Sequence, residues 1–237
     1  MAIIEMAMDE TIAVIKMNNG ENRHHLEFAQ ALNQMLDTVI ADESVTAMVM
    51  TSTDEKNWSQ GIDLEWMMGR MAENDTEPIT EFLLTMDQAF KKLLTYPVPA
   101  IAALNGHCFA NAAILAAAFD YRFMRSDRGF YCVPEVDINI QFAPGMKTLL
   151  FHKYSNPVIF NLMLTGQRLT APEAEKAGIV MKACSDTADT MKEAMAFAKM
   201  MVKSRDTYGR MKTQINQPVI DVIDNVNPDY FSGQKVL

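Results

Sequence analysis

The chain has 237 residues, 49% of them hydrophobic and 22% charged, a composition that suits a globular domain with a sizeable core. Its formal net charge of −9 excludes, on bulk electrostatics, nucleic acid and an anionic membrane as partners. An anionic small molecule would need local help from basic residues or backbone amides.

In chain order, "MAIIEMAMDE" carries acid and no basic region, so it is not read as a signal or transit peptide. "TIAVIKM" (11–17) predicts a strand bounded by the turn "NNGEN". Leu26, Ala29, Leu32, Met35, Leu36 and Val39 fall at helical spacing. "VTAMVMTS" (45–52) predicts a buried strand. "DEKNWSQGIDLEWM" reads as a polar loop running into a short helix. Glu77 to Tyr96 predicts a longer helix, stopped by Pro97 and Pro99. "AIAALNG" is another short buried strand, followed by an alanine-rich helix and by "YRFMR" and "GFYCV" as two short strands. Beyond residue 142 the pattern becomes helix after helix. In "LTAPEAEKAGIV", Thr170 and Glu173 form a capping box and Gly178 sits where a C-terminal glycine belongs. Asp186 to Arg205 predicts a further amphipathic helix. The tail from Asn216 has two prolines, is poorly patterned and reads as a partly ordered extension; "KVL" at its end is no recognised address. The order predicts an α/β body over 1–142 and a helical region over 143–237. No apolar run reaches the ~18 residues of a membrane span.

Rossmann, P-loop and G-x-S-x-G patterns are absent. Cys108, Cys132 and Cys184 match no metal motif and fit a reducing, cytoplasmic setting. His24, His25, His107 and His152 lack metal-ligand spacing, and His24–His25 reads as a polar loop pair. Three segments stand out together. "WSQGIDLEWM" sets a glycine before a short helix, either an ordinary turn or a place where backbone N–H groups meet an incoming oxygen. "NGHCFANAAILAAAFD" feeds a tight turn into a helix of small residues that tolerates close approach. "CVPEVDINI" puts Glu135 among apolar residues, where the charged form is disfavoured and a proton can be held or released near neutral pH; a salt-bridged glutamate at a strand end is the alternative.

Taken in order, "SQGIDL", "PAIAALNGHCFANAAILAAAFDYRFM" and "LTGQRLTAPEAEKAGIV" resemble the S-A-G-x-D-L, P-x-I-A-A-x-N-G-x-x-x-G-G-G-x-x-L-A-x-x-C-D and L-T-G-x-x-x-x-A-x-E-A-x-x-x-G-L-V segments of the crotonase superfamily, the enoyl-CoA hydratase/isomerase family. The resemblance covers Ile4 to about Arg210. It implies a crotonase-like spiral of ββα units, with a helical C-terminal region used to assemble a trimer or hexamer. It implies an acyl-coenzyme A thioester as ligand, with coenzyme A entering as part of the substrate and no separate cofactor or metal. It implies an oxyanion hole made by the backbone N–H groups of Ile62 and Asn111, both near predicted helix N-termini. Gln60, Gly61, Asp63, Leu64 and Pro134 are expected to border the substrate. Arg23 is expected either to meet a phosphate or to be solvated. The twenty methionines are core filler or a soft pocket for an acyl chain.

Hydratases of this family use two glutamates. The first slot here holds Ile114; the second holds Glu135. One base suffices to move a proton between carbons, so the pattern resembles the Δ3,Δ2-enoyl-CoA isomerases, as "LEF" and "INIQFAPGMKTLL" do more loosely. Another crotonase reaction (hydration, thioester hydrolysis, decarboxylation) or a non-catalytic acyl-CoA-binding homologue remain the alternatives. The family's glycine triplet is replaced by Ala110-Asn111-Ala112; either the second hole is narrower, or Asn111 copies the glycine through its tolerance of left-handed backbone. Asp63 and Asp120 read as structural hydrogen-bond acceptors.

Overall fold

The computed structural model describes residues 2–233, so Met1 and the "KVL" terminus lie outside the described residues. Strands β1 (Ile4–Asp9) and β2 (Ile12–Met17) form a hairpin, and β3 (Arg23–His24) leads into α1 (Leu26–Ala41). There follow β4 (Ala47–Ser52), β5 (Asn57–Ser59), β6 (Gly61–Ile62), α2 (Leu64–Ala72) and α3 (Glu77–Thr95). The next turn is β7 (Ala100–Leu104), β8 (His107–Phe109) and α4 (Asn111–Ala118). The next is β9 (Tyr121–Arg125), β10 (Tyr131–Cys132), a 3-10 turn (Glu135–Ile138) and α5 (Pro144–Lys153).

The pairs β4/β5, β7/β8 and β9/β10 each send their first strand to one sheet and their second to another. The large sheet runs β1-β2-β4-β7-β9 and the small one includes β10-β8-β5, while β3 and β6 pair separately. Each strand pair is followed by helix, so the chain winds as a spiral of ββα turns. Parallel pairing from β2 through β9 follows from the helical crossovers. These strands are apolar on both faces, as sheets covered on both sides require.

The remaining elements are α6 (Asn156–Thr165), β11 (Arg168–Leu169), α7 (Ala171–Lys176), β12 (Lys182–Cys184), α8 (Thr187–Met200), α9 (Arg205–Asn225) and α10 (Asn227–Gly233). The sequence pattern showed only helices here. Strands β11 and β12 are too short to show a period of two, yet they extend both sheets by pairing with β10 and β9. The main apolar core joins Ile15, Leu36, Leu104 and Leu115 to Leu149 and Ile223, across the 142/143 division.

Two expectations are corrected. The polar stretch before α2 contains β5 and β6, because its polar side chains are buried and satisfied: Ser59 Oγ donates to the Asn22 carbonyl. Over the described residues 216–233 the tail is helical, not a partly ordered extension. The inner face of α9 is Lys212, Asn216, Val219, Ile220 and Ile223. Its two polar members hid the apolar stripe, yet each has a partner: Lys212 Nζ meets Asp120 at 2.9 Å and Asn216 donates to the Leu94 carbonyl at 2.8 Å. Pro218 sits inside this helix. Asp120 also accepts from Ala100 N and Tyr208, so it is a structural hub tying α9 to the sheet.

A second bolt holds α10. Buried Asn227 donates to Asp87 at 2.6 Å and accepts from Gly145 N at 2.8 Å. Removing it strands a buried carboxylate and a buried amide. Asn227→Ala is expected to cost about 2–3 kcal/mol, read by urea unfolding, with m unchanged.

Candidate active site

A cavity of about 190 Å³ lies where β6, α4, the 3-10 turn and α10 converge. Gln60, Ile62 and Leu64 line one wall, and Phe109, Ala110, Asn111 and Ile114 a second. Pro134 and Glu135 form a third. Met67, Leu83, Phe142 and Met146 make an apolar lining, closed by Tyr230 and Phe231 of α10.

Two backbone arms meet at this cavity. Gly61 has φ +80°, and a Cβ there would lie 2.6 Å from the Phe109 carbonyl oxygen and 3.0 Å from Asn111 N. Only glycine permits that approach. Asp63 N donates to the His24 carbonyl at 2.9 Å, which ties this arm to β3, and the preceding Ile62 lines the cavity. On the second arm Asn111 is the first residue of α4, where an N–H has no partner within the helix. The positive helix end therefore faces the cavity beside Ile62.

The left-handed residue of this arm is Ala110, not Asn111. Ala110 has φ 53° and ψ −126°, and Asn111 is already helical. The turn needs its reversed dihedral one residue before the helix, at a position where alanine is strained. Ala110→Gly is expected to raise stability by about 1 kcal/mol, a shift of about 2–4 °C in Tm by calorimetry.

Glu135 opens the 3-10 turn and is 6% exposed. Its Oε2 has no hydrogen-bond partner among the described residues. Burial pushes its pKa up from 4.5 to about 7, opposed only by a hydrogen bond from its own backbone. Among the described residues no cation pairs with it. Ile114 on α4 faces the same cavity and has no proton to exchange. Among the described residues the cavity thus holds one carboxyl group beside two backbone arms, an arrangement able to move a proton on a bound molecule.

The profile of the Enoyl-CoA hydratase/isomerase family matches residues 7–226. The chain belongs to this family. It is 27% identical to the peroxisomal enoyl-CoA delta isomerase 1 of Arabidopsis thaliana, covering 96% of this chain and 94% of that one. It is 33% identical to the peroxisomal enoyl-CoA delta isomerase 2 of the same plant over 71% of each chain. A putative enoyl-CoA hydratase of Thermus thermophilus is 30% identical over 86% of this chain and 79% of its own. The fold is that of a probable enoyl-CoA hydratase from Mycobacterium tuberculosis, with a TM-score of 0.87 over 97% of this chain and 94% of that one, at 20% identity. The expected crotonase fold is therefore present, helical C-terminal part included.

Within this family fold the expected residues divide. Glu135, Ile62, Asn111, Gln60, Leu64, Pro134 and Arg23 share the cavity. Gly61 is buried behind it, where its role is close packing. Asp63 is not a wall residue: its carboxylate caps α2 by accepting from Trp66 N at 3.1 Å. The Arg23 guanidinium is paired with Glu21 at 2.8 Å and half-exposed, so its charge is already countered. Positive charge comes instead from the Phe109 side. Arg168 lies 5.5 Å over the Phe109 ring, and burial first, then Lys56, Arg168 and Arg128, hold the neighbouring His107 below its usual pKa.

Sequence reasoning missed three participants. Tyr230 and Phe231 enter from a tail read as irregular; the Asn-Pro start of "NPDYF" was the available signal for a helix. His24 was read as half of a polar loop pair, yet it is fully buried against Asn111 and Ser59. Only His25 belongs to a helix end, accepting from Phe28 N at 3.4 Å as the cap of α1. No local pattern distinguishes the two histidines.

Proposed function

We propose that this protein is a Δ3,Δ2-enoyl-CoA isomerase. The observation that carries the reading is Glu135, the one carboxyl group among the described residues that line the cavity, buried, with its pKa raised to about 7 and opposite an inert Ile114. The names of the Arabidopsis relatives support it.

A 3-enoyl-CoA would seat its thioester carbonyl between the Ile62 and Asn111 amides. The Glu135 carboxylate takes a C2 proton. The electron pair moves into the C1–C2 bond and the carbonyl oxygen becomes an oxyanion, conjugated with the C3–C4 double bond. Glu135 then returns the proton to C4, leaving the double bond between C2 and C3. Each amide donor is worth about 3 kcal/mol in the transition state. No cofactor beyond the coenzyme A of the substrate enters this scheme, and Lys56, Arg128 and Arg168 offer its phosphates positive charge near Phe109. The reading includes self-association as a trimer or hexamer, supported by the exposed apolar residues Met200, Val202, Met211 and Ile215 of the C-terminal part. It also places the protein in the cytoplasm, with three free buried cysteines in keeping with a reducing compartment. Among the described residues no helix is long and apolar enough to cross a membrane.

The test is incubation with a trans-3-enoyl-CoA and, separately, a trans-2-enoyl-CoA, with products separated by chromatography. The 2-enoyl isomer without 3-hydroxyacyl-CoA is the expected result. Hydration, the activity in the name of the Thermus relative, would overturn it. Because the base must be ionised to accept the C2 proton, kcat/KM is expected to rise with pH, with its midpoint at about 7, and to level off above it.

A further inference from the structure

We propose that His24 is a positioning residue that braces the two amide arms of the site against each other. The proposal rests on the isomerase reading for its catalytic consequence. The brace itself rests on hydrogen bonds alone.

Ser59 Oγ lies 2.6 Å from the Asn22 carbonyl oxygen, which can only accept, so the one hydroxyl proton is committed there. Ser59 Oγ lies 2.9 Å from His24 Nε2, and that contact must then be donated by the ring. Gly61 N donates to the same oxygen at 3.1 Å. The other ring nitrogen, Nδ1, lies 2.9 Å from Asn111 Nδ2, an amide group that can only donate. Both contacts are satisfied by one state: neutral imidazole with the proton on Nε2. Burial, helped by the neighbouring His25, lowers the His24 pKa to about 3, in agreement with that state.

The ring is fully buried and stacks on Phe28, centroids 4.5 Å apart and planes 15° apart, so it cannot turn freely. One side of it reaches Ser59, whose hydroxyl oxygen also accepts from the N–H of Gly61, the residue before Ile62. The other reaches Asn111. The two arms come from elements about fifty residues apart in sequence, and His24 is a side chain hydrogen-bonded toward both. Small displacements of aligned groups have large effects on rate.

Three measurements test this. In the wild-type protein, 15N spectra of the His24 ring are expected to show neutral Nε2–H across the neutral pH range; an Nδ1–H tautomer or an imidazolium would overturn the brace. His24→Phe keeps the stack on Phe28 and removes both hydrogen bonds. It is expected to lower kcat by about 10–100-fold with KM within about 3-fold and the pH midpoint unmoved. His24→Gln, which can donate and accept, is expected to recover much of the loss. Wild-type kcat in His24→Phe, or a loss confined to KM, would refute positioning. If His24→Phe does not fold, Asn111→Leu cuts the same link from the other end and is expected to give the same kcat loss. Amide exchange at Gly61 and Asp63, whose N–H groups are bonded to Ser59 Oγ and the His24 carbonyl, is expected to quicken in the folded variant. That readout needs no substrate, so a wild-type protein that fails to turn over 3-enoyl-CoA sinks the isomerase reading without deciding the brace. Unchanged exchange would sink the brace.

Discussion

Glu135→Gln is expected to lower turnover by roughly 10²–10⁴-fold while affinity for an acyl-CoA thioester stays within a few-fold. The amide keeps the shape and much of the polarity of the carboxyl group but cannot take a proton. The same substitution is expected to stabilise the fold at neutral and higher pH. The folded-state pKa of about 7 exceeds the ordinary 4.5, so between those values the folded protein keeps a proton that the unfolded chain has released. Stability of the parent therefore falls as pH rises through that window. The difference amounts to at most about 3 kcal/mol at full ionisation. It is expected to vanish below pH 4.5, where both states are protonated. Urea unfolding of both proteins at about pH 4 and about pH 8 measures it. An active Glu135→Gln would remove the proposed chemistry. Parallel pH–stability curves would show that Glu135 is not desolvated as described.

Gly61→Ala is expected to cost both activity and stability. Its φ of +80° is costly for alanine, and the added Cβ would meet the Phe109 carbonyl oxygen at 2.6 Å. Backbone, not a flexible side chain, must move. The β6 arm would be driven away from Asn111 N, which lies only 3.0 Å from that Cβ. We expect a kcat loss of about 10²-fold or more and a destabilisation of roughly 1–3 kcal/mol. Thermal unfolding separates the two effects, because activity measured well below Tm reports only the damaged hole. A folded Gly61→Ala variant with parent kcat would mean that the two amides do not act together. Gly20, by contrast, has nothing within 4 Å of a Cβ, so positive φ alone does not mark a site glycine.

Much of this protein was legible from residue order. The hydrophobic period of α1, the apolar runs of β4 and β7, and the capping box of α7 are local properties, and each appears where the sequence placed it. Three motifs in fixed order fixed the fold family. Glu135 stood out because a carboxylate between proline and valine in an apolar segment has few inexpensive places to go.

What the tertiary structure decided is what non-local partners decide. Lys212 and Asn216 can sit on the buried stripe of α9 because Asp120 and the Leu94 carbonyl, each about a hundred residues away in sequence, meet them. Residue preference offers Asn111 for a reversed backbone turn, yet the residue at positive φ is Ala110, where α4 docks against β6. The chain contains His24 and His25 side by side. One caps a helix at the surface of the fold and the other is buried between two arms of a cavity, because only folding brings Ser59 and Asn111 to opposite edges of a single ring. Sequence sets which groups can hydrogen bond and which must leave water; burial sets which of them have no alternative.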